Sequence, residues 1–203
     1  MKTDLLSSGN CIITQSYDDH WKYGQWARGI DLVDTDDNGA VIRHSNVLAV
    51  ADGTVIYAGD GDGYGNAVWI DHGNNFVSGY GHMNVLHVKA GYHVKKGDSL
   101  GIIGCTGNVI PKGTGGTHLH FECRLYKNPI KVGQTFWEKG CFMDTDTFEW
   151  CDPTNYVEPL PNTTGHYILK YKDVEIATCD TINEAFNILR SIHIFDTTTG
   201  GVI

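Results

Sequence analysis

The sequence predicts a mainly β protein: a compact antiparallel sheet or sandwich domain with a groove, followed by a small C-terminal βα appendage. Three observations carry this. Glycine is abundant, 25 of 203 residues against 5 prolines, with no collagen-like period. The glycines fall between short runs rich in β-branched and aromatic residues, the pattern of tight turns joining strands. No segment of helical period and useful length occurs before residue 180.

The elements follow in order. VLAVADGTVIYAG (47–59) alternates apolar residues about Asp52-Gly53 and predicts a hairpin. NAVWIDHG (66–73) and FVSGYGHM (76–83) read as two strands joined at Gly73-Asn74-Asn75. VLHVKAGYHVKKGDSLGIIG (85–104) continues in extended form with turns at Gly91 and Gly97, and THLHFECRLY (117–126) alternates with period two. Residues 127–151 read as a long insertion, which in a compact domain is usually functional or partly ordered. Its Trp137, Phe142, Phe148 and Trp150 either line a groove or pack against the sheet. The main domain spans 1–158, PLPNTTG (159–165) reads as a linker, and 166–203 form the appendage. In the appendage, HYILKYKDVEIATC turns at Lys172-Asp173. TINEAFNILRSI (181–192) then reads as a short amphipathic helix, with Thr181 and Glu184 in capping-box spacing.

Charge and composition narrow the function. Lys and Arg number 15 against 24 Asp and Glu, a net charge of −9 with histidine neutral. A nucleic-acid binder would show a basic patch, and the sequence has none. An acidic surface also has no general attraction for anionic membranes or other polyanions, so any such substrate needs a specific groove. No stretch approaches the roughly 20 apolar residues of a membrane span. The opening MKTDLLSSGNCIITQSYDDH lacks the apolar core of a secretory signal, which predicts cytoplasmic synthesis or a leader already removed. Six cysteines without a CxxC pair argue against a cysteine zinc site and against a disulfide scaffold. Cys141 and Cys151 flank an aromatic loop and are the candidates to bridge in an oxidising medium; otherwise the cysteines read as packed thiols.

Ten histidines are an enrichment, and their placement matters more than their number. His118 and His120 alternate with Leu119, so both imidazoles face one side of a strand and can meet one metal or one reaction centre. Asp31, in ARGIDLVD, offers a carboxylate, and His82, in GYGHM, a third imidazole. Each taken singly is more commonly a surface or hydrogen-bonded residue. Gly61-Asp62-Gly63-Tyr64-Gly65 joins two strands and opens no helix, so it reads as a turn rather than a phosphate loop. Asp34, Asp36, Asp37 and Asn38 before Gly39 lack EF-hand spacing and read as a solvated acidic turn. His72, His87, His93, His166 and His193 read as strand or surface residues.

In order and spacing, the blocks GIDLVD, VLAVADGTVIYAG, GYGNAVWIDHGNNFVSGYGHM, VKAGYHVKKGDSLGIIGCTGNV and GTHLHFE resemble the lysostaphin-type zinc metallopeptidases. Those enzymes cut peptide bonds of bacterial peptidoglycan, and the resemblance spans residues 11–158. It implies a compact antiparallel β domain with a long groove and one Zn2+ per chain. It implies Asp31 and His120 as metal ligands. His82 and His118 fall on the family's catalytic pair, which orients or deprotonates water and stabilises the developing oxyanion. Tyr80, Asn66 and Trp137 are candidates for the substrate groove.

One position departs from the family pattern. The first histidine of its HxGxD block is replaced, since the chain reads Ala27-Arg-Gly-Ile-Asp31. Three explanations stand: an engineered inactivating change, a naturally degenerate member, or replacement of the missing ligand by His20 or His44. Retention of Asp31, His82, His118 and His120 favours the first over the second. The resulting expectation is an endopeptidase that hydrolyses a cross-bridge or stem-peptide bond with zinc-activated water, impaired in this form. The alternative is an inactive relative that binds cell wall or activates another wall hydrolase. Without a secretory signal, the expected setting is a phage or prophage lysin acting on the wall, or a secreted enzyme whose leader has been removed.

Overall fold

The computed structural model describes residues 5–7, 10–22, 28–129, 131–132, 147–155, 167–171 and 174–179. The chain divides into two compact units, Met1–Pro159 and Leu160–Ile203. The first opens with β1 (Cys11–Gln15), the short helix α1 (Tyr17–Lys22), β2 (Ile30–Thr35), β3 (Val41–Ile42) and β4 (Asn46–Leu48). It continues with β5 (Gly53–Asp60), β6 (Asn66–Asp71), β7 (Phe76–Met83), β8 (Val85–Leu86) and β9 (His93–Val94). It closes with β10 (Ser99–Ile102), β11 (Leu119–Tyr126) and β12 (Phe148–Cys151). Among the described residues the larger sheet runs β1-β2-β11-β7-β6-β5-β9, with β3 on β2 and β12 on β11; a smaller sheet runs β4-β10-β8. All pairings are antiparallel, as expected of the fold class.

Turn chemistry explains most of the connections. The β6–β7 hairpin turns at Gly73-Asn74-Asn75, all three with positive φ, and Gly91 and Gly97 also take the left-handed conformation their turns require. The hairpin expected about Asp52-Gly53 does not form. β4 pairs with β10 in the small sheet, while β5 pairs with β6 and β9 in the large one. Ala49 N–H donates to Asp98 O and Gly97 N–H to Ala49 O, so the chain crosses between sheets at this point. Alternation marks both runs as strands without saying which strand each will meet.

The two faces of the large sheet have different tasks. On one, Leu32, Val68, Ile70, Tyr80, Leu119 and Phe121 pack with Val47, Leu100 and Ile103 of the small-sheet region in a single apolar cluster. Because side chains alternate along β11, His120, Glu122 and Arg124 point to the other face. There a second cluster holds Tyr64, Trp69, Val77, Tyr126 and Phe148. The end of the expected 127–151 insertion is therefore sheet rather than loop: β12 pairs with β11, and Phe148 and Trp150 stack on Arg124 rather than lining a groove. Trp137, Phe142 and Cys141 lie outside the described residues.

In the second unit, β13 (Tyr167–Tyr171) and β14 (Val174–Cys179) pair as the hairpin expected around Lys172-Asp173. The helix expected over 181–192 lies outside the described residues. Among the described residues no helix is long and apolar enough to cross a membrane.

Candidate metal centre and catalytic groove

The centre is built on β11. His120 stands directly opposite Asp31 of β2 on one side and Gly81 of β7 on the other. Cross-strand partners share a face, so the sheet itself brings the Asp31 carboxylate to the His120 ring, with Nδ1 2.9 Å from Oδ1. Gly81 leaves room at that level for Tyr64, whose ring meets His120 edge-on at 5.4 Å. The next residue, His82, has φ of 62°, a conformation that costs a non-glycine residue about 1–3 kcal/mol and is typical of functional sites. Its ring lies 4.6 Å from that of His118.

A further imidazole arrives from α1. Ser16 caps this helix: its Oγ accepts from Asp19 N–H, and the Asp19 carboxylate accepts from the Ser16 hydroxyl and N–H in return. The capped turn directs His20 inward, where it is 3% exposed. His20 Nε2 lies 3.4 Å from Asp31 Oδ1, and its ring meets that of His120 edge-on at 5.1 Å. Metal-binding donor atoms of His20, Asp31 and His120 all fall within 4.8 Å of one another.

Hydrogen bonds fix which ring nitrogen faces the centre. His20 Nδ1 lies 3.0 Å from Ser16 O, His82 Nδ1 2.9 Å from Thr106 O, and His118 Nδ1 2.8 Å from Gly116 O. A carbonyl oxygen only accepts, so each Nδ1 carries the proton and each Nε2 presents a lone pair. His120 is turned the other way. Its Nε2–H donates to Glu122 Oε2 at 3.1 Å, and Nδ1 faces Asp31. Imidazole lone pairs and a carboxylate thus converge on one point, an arrangement that repels itself unless a cation is present.

The electrostatics report the same demand. Burial opposes ionisation of Asp31, yet the hydrogen bond with His120 and the His20 and His118 rings beside it hold its carboxyl well below the usual range. Burial likewise opposes protonation of His120, but its bonds to Asp31 and Glu122 push it up to about 9. With Nε2–H held by Glu122, that raised value puts a second proton on Nδ1, facing the Asp31 carboxylate. His82 is pushed down to about 3 by burial and by the neighbouring His120 and His118 rings, so it is neutral at physiological pH.

These residues line a cavity of about 480 Å³, walled further by Gln15, Tyr64, Asn108, Val109 and Ile110. Asp31, His82, His118 and His120, singled out in the sequence, all meet there. Tyr80 does not: it is buried in the apolar core beside Phe121, its hydroxyl accepting from Val50 N–H. Asn66 is turned to the Asn84 carbonyl at 3.3 Å and is not part of the wall. The tyrosine of the cavity is Tyr64, whose turn reading carried no hint of this role. Trp137 and Ala27 lie outside the described residues. Of the two substitute ligands considered, His44 is exposed and outside the cluster, and His20 is in it. The local signal for α1 was present in Ser16 and Asp19, the same spacing that marks Thr181 and Glu184.

Comparison with known proteins identifies the family. The model of peptidase family M23 matches residues 27–132. The chain belongs to peptidase family M23. The matched M23 segment contains Asp31, His82, His118 and His120, and His20 lies upstream of it. Murein hydrolase activator NlpD of Escherichia coli (strain K12) is 39% identical over 109 residues, 51% of this chain and 25% of that protein. DD-carboxypeptidase/endopeptidase Mpg of Neisseria meningitidis serogroup B is 37% identical over 84 residues, 41% of this chain and 18% of that protein. The chain therefore spans about a quarter or less of the length of these curated relatives. The antimicrobial peptidase lysostaphin from Staphylococcus simulans shares the M23 fold with a TM-score of 0.51 at 21% identity, over 84% of this chain and 63% of that one.

Proposed function

We propose that this M23 chain is a metal-dependent peptidoglycan endopeptidase whose ion is held by His20, Asp31 and His120. The observation that carries the reading is the convergence of two imidazole nitrogens and a carboxylate oxygen with their outer N–H groups anchored elsewhere. The residues fit a metal. Three nitrogen and oxygen ligands with a further position open to the cavity is the donor set of a catalytic zinc ion. His20 takes the place of the histidine that the family carries where this chain has Ala27, so neither an inactivating change nor degeneracy is needed. When bound, the ion supplies a Lewis acid that polarises the scissile carbonyl and acidifies water.

The chain's own side chains supply the proton handling. His118, 15% exposed with Nε2 3.7 Å from Asp31 Oδ1, faces both the centre and the cavity. It accepts the proton of the attacking water at Nε2 and returns it to the leaving amine. His82, with its proton committed to Thr106 O, offers Nε2 only as an acceptor, and so orients the water or a substrate N–H. Val109 and Ile110 give the groove an apolar wall, and Gln15 and Asn108 polar groups, suited to an extended peptide.

The test uses the full chain loaded with one equivalent of zinc and purified peptidoglycan. Release of new amino termini that stops in chelator and returns with zinc supports the reading. Zinc binding without any release, together with stimulation of a second wall hydrolase, would replace it with the activator reading suggested by the name of the E. coli relative.

A further inference from the structure

His120 differs from the other three imidazoles of the centre in what holds it. His20, His82 and His118 are fixed by backbone carbonyls, which accept whatever the surroundings. His120 is fixed by a side-chain carboxylate, and that carboxylate is fully buried. Its two oxygens are divided between two sets of donors. Oε2 accepts from His120 Nε2 at 3.1 Å and from the Tyr64 hydroxyl at 2.7 Å. Oε1 accepts from Arg124 Nε at 2.7 Å and lies 2.6 Å from Arg124 Nη2. The guanidinium cannot swing away, because it is stacked among Trp69, Phe148 and Trp150 at 4.3–4.6 Å.

We propose that the buried Glu122–Arg124 pair is a positioning device that holds His120 in the tautomer whose Nδ1 lone pair faces the metal. This rests on the reading of His20, Asp31 and His120 as the metal cradle. Arg124 orients Glu122, and Glu122 keeps the His120 proton on Nε2. Neither residue touches substrate or ion, so both act through His120. An amide at position 122 breaks the arrangement in a defined way. If its NH2 replaces Oε1, donor faces donor against the caged guanidinium. If its NH2 replaces Oε2, it faces Nε2, which must then offer a lone pair. The His120 proton moves to Nδ1 and blocks the ligand atom.

The experiment compares zinc affinity of the wild-type chain, Glu122→Gln and the double variant Glu122→Gln/Arg124→Met. Cadmium-113 coupling to histidine nitrogens is read in the wild type. Affinity is expected to fall about 10- to 100-fold in Glu122→Gln. It should recover in the double variant, where loss of the guanidinium lets the amide present its oxygen to Nε2–H. A merely structural role gives no such recovery. In the wild type, cadmium should couple to Nδ1 of His120 and to Nε2 of His20. Unchanged affinity in Glu122→Gln, or wild-type coupling through Nε2 of His120, overturns the proposal while leaving the metal cradle standing. A Glu122→Gln chain that does not fold leaves the wild-type coupling to decide. A wild-type chain that binds neither ion overturns the cradle and this proposal together.

Discussion

His20 Nε2 lies 3.4 Å from Asp31 Oδ1, which joins a side chain of a short capped helix to one of the central sheet. Everything proposed about the centre depends on that meeting. His20→Ala should weaken zinc binding by more than about 100-fold, beyond the range seen when only a supporting residue is lost. His44→Ala should leave it unchanged, since His44 is exposed and apart from the cluster. Zinc per chain by elemental analysis checks both, and equal zinc in the two variants would remove His20 from the ligand set.

His82 and His118 should separate from the proposed ligands in the same assay. His118→Ala and His82→Ala remove proton acceptors without removing a ligand. Each is expected to keep one zinc and to lose roughly 10²–10⁴-fold in hydrolysis rate, the usual share of a general acid–base group. Rate measured on peptidoglycan at saturating zinc distinguishes them from His20→Ala, which loses both.

The metal-free chain should show a stability profile set by His120. Its pKa is raised in the folded state to about 9, so folding binds its proton more tightly than the unfolded chain does. That stabilisation is complete below about pH 6.5, the unfolded value, and is lost as pH rises through 9. His82 acts in the other direction. Its folded pKa near 3 costs stability as pH falls below about 6.5. Denaturant midpoints of the chelated chain should therefore decline on both sides of neutrality. Zinc displaces the His120 proton, so zinc affinity should rise across the alkaline window in which apo stability falls. A flat profile between pH 6.5 and 9 would contradict the geometry of the Asp31–His120 pair.

Gly79 of β7 makes a packing prediction. A Cβ there would run into the Trp69 ring, which is also one wall of the Arg124 cage. Gly79→Ala should cost about 1–3 kcal/mol, seen as a lower denaturant midpoint. It should also weaken zinc binding, because the displaced indole disturbs Arg124 and through it Glu122. A destabilised variant with unaltered zinc affinity would show that the cage tolerates such a shift.

Much of the centre was legible in the residues alone. Alternation through His118-Leu119-His120 predicted two imidazoles on one face, and the order of the blocks predicted Asp31 and His82 beside them. Tyr80 packs in the core and not in the groove; a tyrosine next to a functional strand end reads the same whether its ring faces groove or core. In the fold it falls on the face of β7 that packs against Phe121. Tyr64 was missed for the opposite reason, since its glycine-rich setting signals only a turn.

Strand periodicity, the turns at Gly73, Gly91 and Gly97, the alternation of β11 and the departure at Ala27 are all written in the residues. These are local properties, decided by backbone sterics and a period of two. Long-range packing is what takes β4 from β5 to β10, encloses Arg124 between Phe148 and Trp150, and brings His20 to Asp31. Each of these is a contact between segments distant in the chain, chosen by which surfaces bury each other and which charges find partners. No spacing of residues encodes such a choice on its own.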